Sequence, residues 1–182
     1  MLREITESTI FPLSSHISIE SFLAQVDVKT SDIIFTGMRF LVLSDVHSSN
    51  RTIAWANRLA REHGADAFIV LGDIVNFSPA DWAEEFLKSL DLPAYAVPGN
   101  CDPPAVVGYI ERAATSLHQR KAEVGGKTFI GLGGSNPTIF DTPFELEEEA
   151  IAEKLGPLME EGAVMVLHCP TNRSSLPEPP GD

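Results

Sequence analysis

From Met38 onward, short apolar runs alternate with segments of helical spacing, and this alternation constrains the fold more than any other feature of the chain. Apolar runs of four or five residues bounded by turn residues predict buried strands. Helical segments between such strands are typical of repeated βαβ units around a mostly parallel sheet. The predicted strands are FLVL, AFIVL, AYAV, TFIGL and AVMVL. We therefore expect an α/β fold.

The segments between the predicted strands carry start and stop signals for helices. RTIAWANRLAREHG has Asn50 as a candidate N-cap and Gly64 as a stop, and PADWAEEFLKSLD has Pro79 near its start. A further helix is predicted over PFELEEEAIAEKLGPLMEEG, weakened at its internal Gly-Pro pair. KAEVGGKTFIGL instead predicts a β-hairpin with the Gly-Gly pair as its turn.

The chain is expected to hold one domain over residues 38–182, preceded by an N-terminal extension over residues 1–37. The extension is mixed and weakly periodic, and its SIESFLAQV segment is compatible with one short amphipathic helix. An accessory segment with little chemistry is favoured over a lid or an oligomer contact.

Four predicted strands are followed by a residue of a type that binds metal ions: Asp45, Asp73, Asn100 and His168. Residues at the carboxyl ends of strands in an open α/β sheet converge on one crevice. Within DVH, the period of two of an extended segment is expected to turn Asp45 and His47 to the same side. These side chains predict one polar site.

Carboxylate, amide and imidazole groups without a thiolate favour manganese, iron, zinc or nickel over a structural, Cys-rich zinc site. One carboxylate can bridge two ions, and a pair of ions about 3.5–4 Å apart can hold a hydroxide and clamp phosphate oxygens. Each motif alone has a more ordinary interpretation, because strand-end Asp and Asn are common in caps and turns. Their coincidence at successive strand ends favours metal binding.

The motifs SDVHS, GDIVN, GNCD, GLGGSNP and VLHCP, spread over roughly Met38 to Pro170, resemble the calcineurin-like metallophosphoesterases. Within that family they are most similar to small phosphodiesterase-type members that carry GNCD where larger relatives carry GNHD or GNHE. The resemblance implies an αββα sandwich that hydrolyses phosphoesters, phosphodiesters in particular, with two divalent ions, manganese foremost, and a bridging hydroxide. It implies that Asp45 and His47 hold the first ion and that Asp73 bridges. Asn100 and His168 would hold the second ion, and Asn100 would also touch the substrate phosphate.

The sequence departs from the family pattern at two places. Cys101 stands where many members have a histidine thought to protonate the leaving group, and a packing role for it is favoured over a reactive thiol. The GHxH motif that would give each ion one more histidine does not follow His168. The sandwich is therefore expected to be incomplete at its C-terminus, as a truncated or a divergent member. The alternative function is a weakly active or non-catalytic binding module that keeps the fold.

Composition narrows the function classes further. A formal net charge of −13 argues against a general nucleic-acid surface, so the expected partner is a small phosphoester substrate. Two cysteines without paired spacing favour a reducing, cytoplasmic location, and no apolar run is long enough to predict membrane insertion. An exposed sheet edge would allow a homo-oligomer. No GxGxxG or GxxxxGK[ST] follows the first strand, which disfavours a nucleotide-binding domain.

Three further features have ordinary interpretations. Residues 133–136 predict a turn rather than an anion-binding loop, Asp102 is a loop residue beside two prolines, and His118 is a surface or capping residue.

Overall fold

The computed structural model of the protein describes residues 29–35, 37–76 and 78–169. Its elements in chain order are β1 Lys29–Phe35, β2 Met38–Ser44, α1 Asn50–His63, β3 Ala67–Leu71, α2 Trp82–Lys88, β4 Ala94–Val97, α3 Val106–Ala113, β5 Thr115–Ser116, β6 Arg120–Val124, β7 Lys127–Leu132, α4 Glu148–Leu155, the 3-10 helix Gly156–Leu158 and β8 Val164–Leu167.

The strands form two sheets. The larger sheet has the order β1-β2-β3-β4-β5, in which β1 pairs antiparallel with β2 and the other pairs are parallel. The smaller sheet has the order β6-β7-β8, with an antiparallel hairpin and one parallel pair. Parallel neighbours place the carboxyl ends of β2, β3 and β4 at one edge, which is where the polar residues follow.

Strand alternation builds an αββα sandwich, as predicted. In β2, Phe40 and Val42 face the second sheet, whereas Leu41 and Leu43 face the helices. The two sheets bury one shared apolar layer that includes Phe129 of β7. Helices α1, α2 and α3 cover the outer face of the large sheet, and α4 covers that of the small one. This period of two follows from the opposite orientation of successive side chains in a strand.

All five predicted strands are confirmed, as is the hairpin, whose turn residues Gly125 and Gly126 both have positive φ, at 57° and 75°. Such a turn matches the twist of the strands that it connects. Helix α1 ends at Gly64 in the left-handed conformation, as expected. Its predicted cap is wrong: Ser49 precedes the helix, and Asn50 is its first residue. The Asn50 side chain instead accepts a hydrogen bond from the indole of Trp82 at 3.3 Å.

The helix predicted over residues 143–162 is shorter than expected, since its first turn begins at Glu148 and it passes into a 3-10 helix at the Gly-Pro pair. The sequence did not predict α3 or the strand β1, which comes from the segment assigned to the N-terminal extension. The boundary at residue 38 stays a prediction, and SIESFLAQV lies outside the described residues. No helix within the described ranges combines the length and apolarity needed to cross a bilayer.

Candidate metal centre

The polar residues predicted from the strand ends meet at one edge of the sandwich. Asp45 follows β2, Asp73 follows β3 and Asn100 follows β4, all from the large sheet. His168 follows β8 of the small sheet, and its Nδ1 lies 2.5 Å from the carbonyl oxygen of Leu71 at the end of β3. Both sheets therefore contribute side chains to one site.

Asp45, His47 and Asp73 form the first cluster, in which one ligand atom from each residue lies within 4.8 Å of the others. The Nε2 atom of His47 is 3.7 Å from Asp73 Oδ2 and 4.0 Å from Asp45 Oδ1. Bonds from a divalent ion to such ligands are about 2.0–2.2 Å long, so both distances from Nε2 fit an ion shared between His47 and a carboxylate.

The backbone of the first cluster is left-handed rather than extended. Asp45, His47 and Asp73 have φ of 58°, 46° and 50°, and Ser48 has φ of 56°. Asp45 and His47 do come together, but the prediction that an extended segment aligns them is wrong, because β2 has already ended at Ser44. The two side chains meet through a turn, and strained backbone of this kind concentrates at functional sites.

Hydrogen bonds between two loops hold this turn. The amide of Asp45 donates to the carbonyl of Gly72 at 3.2 Å, and that of His47 donates to the carbonyl of Asp73 at 2.8 Å. The amide of Ser48 donates to the carbonyl of Ile74 at 2.9 Å. The loop after β2 thus runs beside the loop after β3, and this pairing brings DVH against GD.

Asp73, Asn100 and His168 form the second cluster. The Nε2 atom of His168 is 2.8 Å from Asn100 Oδ1 and 3.4 Å from Asp73 Oδ1. Because the Leu71 carbonyl only accepts hydrogen bonds, the Nδ1 of His168 carries the hydrogen and donates to it. In neutral His168 the lone pair of Nε2 then faces two oxygen atoms. A cation among the three would turn this unfavourable contact into coordination, and a backbone partner on the other nitrogen is usual for a metal-binding histidine.

Asp73 connects the two clusters through its two carboxylate oxygens. Oδ2 faces His47, and Oδ1 faces His168 and accepts a hydrogen bond from the amide of Cys101 at 2.9 Å. Asp73 is buried, whereas the side chains of Asp45 and His47 stay 24% and 31% exposed. One buried carboxylate therefore lies between two groups of ligand atoms, one of which solvent can reach.

The Nε2 atom of His47 is placed better for a metal ion than for a hydrogen bond to either carboxylate. The other ring nitrogen, Nδ1, is buried and lacks, among the described residues, a hydrogen-bond partner of the kind that His168 has. The distances of 3.7 and 4.0 Å from Nε2 to the carboxylates exceed hydrogen-bonding length. The donor set of both clusters, oxygen and imidazole nitrogen, is one that divalent transition ions accept.

Residues 38–175 match the calcineurin-like phosphoesterases. The chain belongs to this family. An uncharacterized protein of Methanocaldococcus jannaschii is 36% identical over 93 residues, which cover 50% of this chain and 43% of that protein. The chain thus matches less than half the length of this relative.

Two solved structures share the fold. The crystal structure of TT1561 of Thermus thermophilus superposes with a TM-score of 0.58 at 19% identity, covering 65% of this chain and 60% of that one. Another crystal structure superposes with a TM-score of 0.57 at 14% identity, covering 69% of this chain and 66% of that one. Calcineurin-like phosphoesterases typically bind divalent metal ions, and the first cluster is a candidate group for one.

Asp102, the last residue of GNCD, is more than the loop residue expected from the sequence. It is completely buried, and its carboxylate accepts backbone hydrogen bonds from Ile74 at 3.1 Å, Val75 at 2.7 Å and Gly99 at 2.7 Å. Burial raises the pKa of Asp102 to about 6, although these three bonds oppose the rise. The side chain ties the loop that carries Asp73 to the loop that carries Asn100. The sequence gives no signal for this role, because the partners of the carboxylate include backbone amides of another loop.

Cys101 has the surroundings of an unreactive thiol. Burial, together with the carboxylate of Asp73, raises the pKa of Cys101 to about 12. This agrees with the packing role favoured from the sequence, since a reactive cysteine needs a stabilised thiolate.

Residues 133–136 form a turn, and its first three backbone amides donate hydrogen bonds within the protein. Gly133 donates to Nδ1 of His118 at 3.0 Å, Gly134 to the carbonyl of Pro98 and Ser135 to that of Phe144. Those three amides are therefore engaged, which favours the turn over the anion-binding loop. Of the surface or capping role predicted for His118, the surface position is wrong, because its side chain is buried and accepts one of these bonds.

Proposed function

We propose that this calcineurin-like phosphoesterase domain hydrolyses phosphoesters, phosphodiesters in particular, with two divalent metal ions held by its two clusters. Asp45, His47 and Asp73 would hold the first ion, and Asp73, Asn100 and His168 the second. The ions would supply a hydroxide activated between them and positive charge for the phosphate oxygens. Manganese is the proposed metal.

The single observation that carries this proposal is the position of Asp73. Its two oxygens face different ligand groups, with Oδ2 at 3.7 Å from His47 and Oδ1 at 3.4 Å from His168. One side chain in this position suits two ions better than one. A site built for one ion has no need of ligand atoms on both sides of the carboxylate.

The charge of the protein is consistent with a metal-borne positive centre at the site. The chain carries a formal net charge of −13, and both clusters contribute carboxylates rather than lysine or arginine. An anionic phosphoester would be repelled from such a surface unless bound cations reversed the local potential. The chain's own residues would therefore orient the ions, and the ions would attract the substrate.

The test begins with metal content. We expect elemental analysis of manganese-loaded protein to find two ions per chain, and we expect that protein to hydrolyse bis(p-nitrophenyl) phosphate. Asp73→Asn and His47→Gln should each lower kcat/KM at least ~100-fold, because metal charge supplies several kcal/mol of transition-state stabilisation. Asp81→Asn is the matched control, since Asp81 is exposed and makes no capping hydrogen bond.

The outcomes of this test separate a phosphoesterase from the alternative, a weakly active or non-catalytic binding module. Protein that binds two ions without hydrolysing any phosphoester would be a binding module that keeps the fold. Protein that takes up no metal would overturn the proposal altogether.

A further inference from the structure

The loop between β7 and α4, residues 133–147, is attached to Asn100 by both backbone and side chain. The amide of Phe144 donates to the carbonyl of Asn100 at 3.0 Å. The side-chain nitrogen of Asn100, Nδ2, donates to Oγ1 of Thr142 at 3.1 Å. A residue of the second cluster is thus held by a loop that comes from the other sheet.

A second hydrogen bond continues from Thr142 to a carboxylate. The hydroxyl of Thr142 donates to Glu145 Oε1 at 2.6 Å, and the backbone amide of Thr142 donates to the same oxygen at 2.9 Å. The hydroxyl of Thr138 also donates to it at 2.6 Å. These bonds, from Thr138 first and then Thr142, lower the pKa of Glu145 to about 2. Glu145 is therefore a carboxylate that only accepts hydrogen bonds.

The direction of these bonds determines how the Asn100 amide is turned. The proton of the Thr142 hydroxyl is committed to Glu145, so the hydroxyl oxygen presents a lone pair to Asn100. Only the NH2 group of an amide can donate to that lone pair. Nδ2 of Asn100 must then face Thr142, and Oδ1 must face His168.

The opposite orientation would be favourable if Thr142 did not prevent it. In neutral His168, Nε2 presents a lone pair 2.8 Å from Oδ1 of Asn100, and an NH2 group at that place would donate a good hydrogen bond. Such a bond would occupy the histidine and withdraw both residues from metal binding. This would be a competing, closed arrangement of the metal-free site, and it would differ by a half-turn of one amide.

We propose that Thr142 and Glu145 are positioning residues that hold the Asn100 amide with its oxygen toward His168, and so keep the second cluster open for a metal ion. The proposal rests on the proposed function in one respect: Asn100 and His168 are taken as metal ligands. The proposal adds two residues of the β7–α4 loop, Thr142 and Glu145, to the site. Neither is a proposed metal ligand.

The chain offers a matched pair of threonines for the test. Thr142→Val and Thr138→Val each remove a hydroxyl that donates to Glu145 Oε1, but only Thr142 also contacts Asn100. We expect calorimetric titration of metal-free protein with manganese to show one of two binding events weakened about 10- to 100-fold in Thr142→Val. Thr138→Val should bind like the wild type, and Thr142→Ser should restore binding because serine keeps the hydroxyl.

A second measurement does not depend on metal. In the metal-free protein, the side-chain amide protons of Asn100 should change their chemical shifts in Thr142→Val as the amide turns toward His168, and should stay unchanged in Thr138→Val. If Thr142→Val fails to fold, Thr142→Ala removes the same hydroxyl with a smaller side chain and takes its place in both measurements.

Unchanged metal binding and unchanged Asn100 resonances in Thr142→Val would overturn the proposal. Equal losses in Thr142→Val and Thr138→Val would also overturn it, since they would report loop stability rather than amide orientation. Wild-type protein that binds two ions, responds to Thr142→Val as expected and hydrolyses no phosphoester would support the positioning role while removing the proposed function.

Discussion

Individual residues at the site hold backbone conformations that most side chains avoid. Asp45, His47, Ser48 and Asp73 are all left-handed, at a cost of roughly 1–2 kcal/mol for each residue that carries a Cβ. Hydrogen bonds to residues 72–74 stabilise three of these positions. Four of the six left-handed non-glycine positions among the described residues thus lie where two carboxylates and an imidazole come together, and such strain concentrates at functional sites.

His118 should make stability depend on pH. Burial, and then the charges of Lys154 and Arg120, lower the pKa of His118 to about 4 in the folded protein, whereas Glu111 acts in the opposite direction. The unfolded chain, with a pKa near the ordinary 6.5, binds the proton first as the pH falls. The contribution of His118 is therefore fully present above about pH 6.5 and is lost as the pH falls toward 4, by on the order of 2 kcal/mol.

The measurement is the free energy of unfolding by denaturant between pH 4.5 and 8 in the wild type and in His118→Asn, whose amide oxygen can accept the bond from Gly133. We expect the variant to lose less stability toward acid. His63→Asn, at the partly exposed end of α1, is the control. If the free energy of unfolding falls equally with pH in the wild type and in His118→Asn, the pH dependence does not come from His118.

Among the elements, the loops after β3 and β4 determine the geometry of the site, because their backbones are in direct contact. A Cβ on Gly72 would come within 2.4 Å of the Gly99 nitrogen, and one on Gly99 within 2.1 Å of Asp73 Oδ1. Asp102 then fastens the same two loops with three hydrogen bonds. The glycines of the GD and GN motifs are needed for this approach, which brings the proposed ligands Asp73 and Asn100 together.

Gly99→Ala should damage the site more than the fold. The added methyl group forces the β4 loop away from Asp73, so we expect manganese affinity to fall at least ~10-fold in calorimetric titration. Gly64→Ala provides the comparison: Gly64 has φ of 61° and no atom near its missing Cβ. That change should cost about 1–2 kcal/mol of stability and leave metal affinity intact. Equal metal affinities in the two variants would refute this account of Gly99.

In the whole molecule, the two sheets share one apolar layer and one polar edge. Phe129 of β7 is fully buried between the sheets, with its ring 5.4 Å from that of Phe40 in β2. His168 and the β7–α4 loop reach the site from the smaller sheet, so the geometry of the second cluster depends on how the sheets pack. Phe140 of that loop is 77% exposed.

Two phenylalanines should therefore differ sharply in their effect on stability. We expect Phe129→Ala to lower the free energy of unfolding by about 3–5 kcal/mol, because it leaves a cavity between the sheets. Phe140→Ala should change it by no more than about 0.5 kcal/mol, because the side chain is in solvent. Thermal and denaturant unfolding of both variants is the check. A large loss in Phe140→Ala would show that the ring packs against something in the intact protein.

The strands and the polar residues that follow them were predictable from sequence, because both depend on local patterns. Apolar runs such as AFIVL predict strands wherever they occur, and parallel neighbours bring their carboxyl ends to one edge. Asp45, Asp73, Asn100 and His168 are indeed gathered there. Their roles as metal ligands remain a prediction.

Other features depended on contacts that no local pattern encodes. Asp102 finds two of its three partners 27 and 28 residues away, and Thr142 contacts Asn100 across 42 residues. His118 is buried where Gly133, from the loop after β7, donates to its ring. The sequence alone determined the strands of an α/β fold and the edge where polar groups collect, because these depend on periodicity that the chain itself carries. The arrangement in two sheets was implied only by the family resemblance. Only the tertiary structure decided how the polar side chains of the site are oriented, because hydrogen bonds between distant loops orient Asp73, Asn100 and His168.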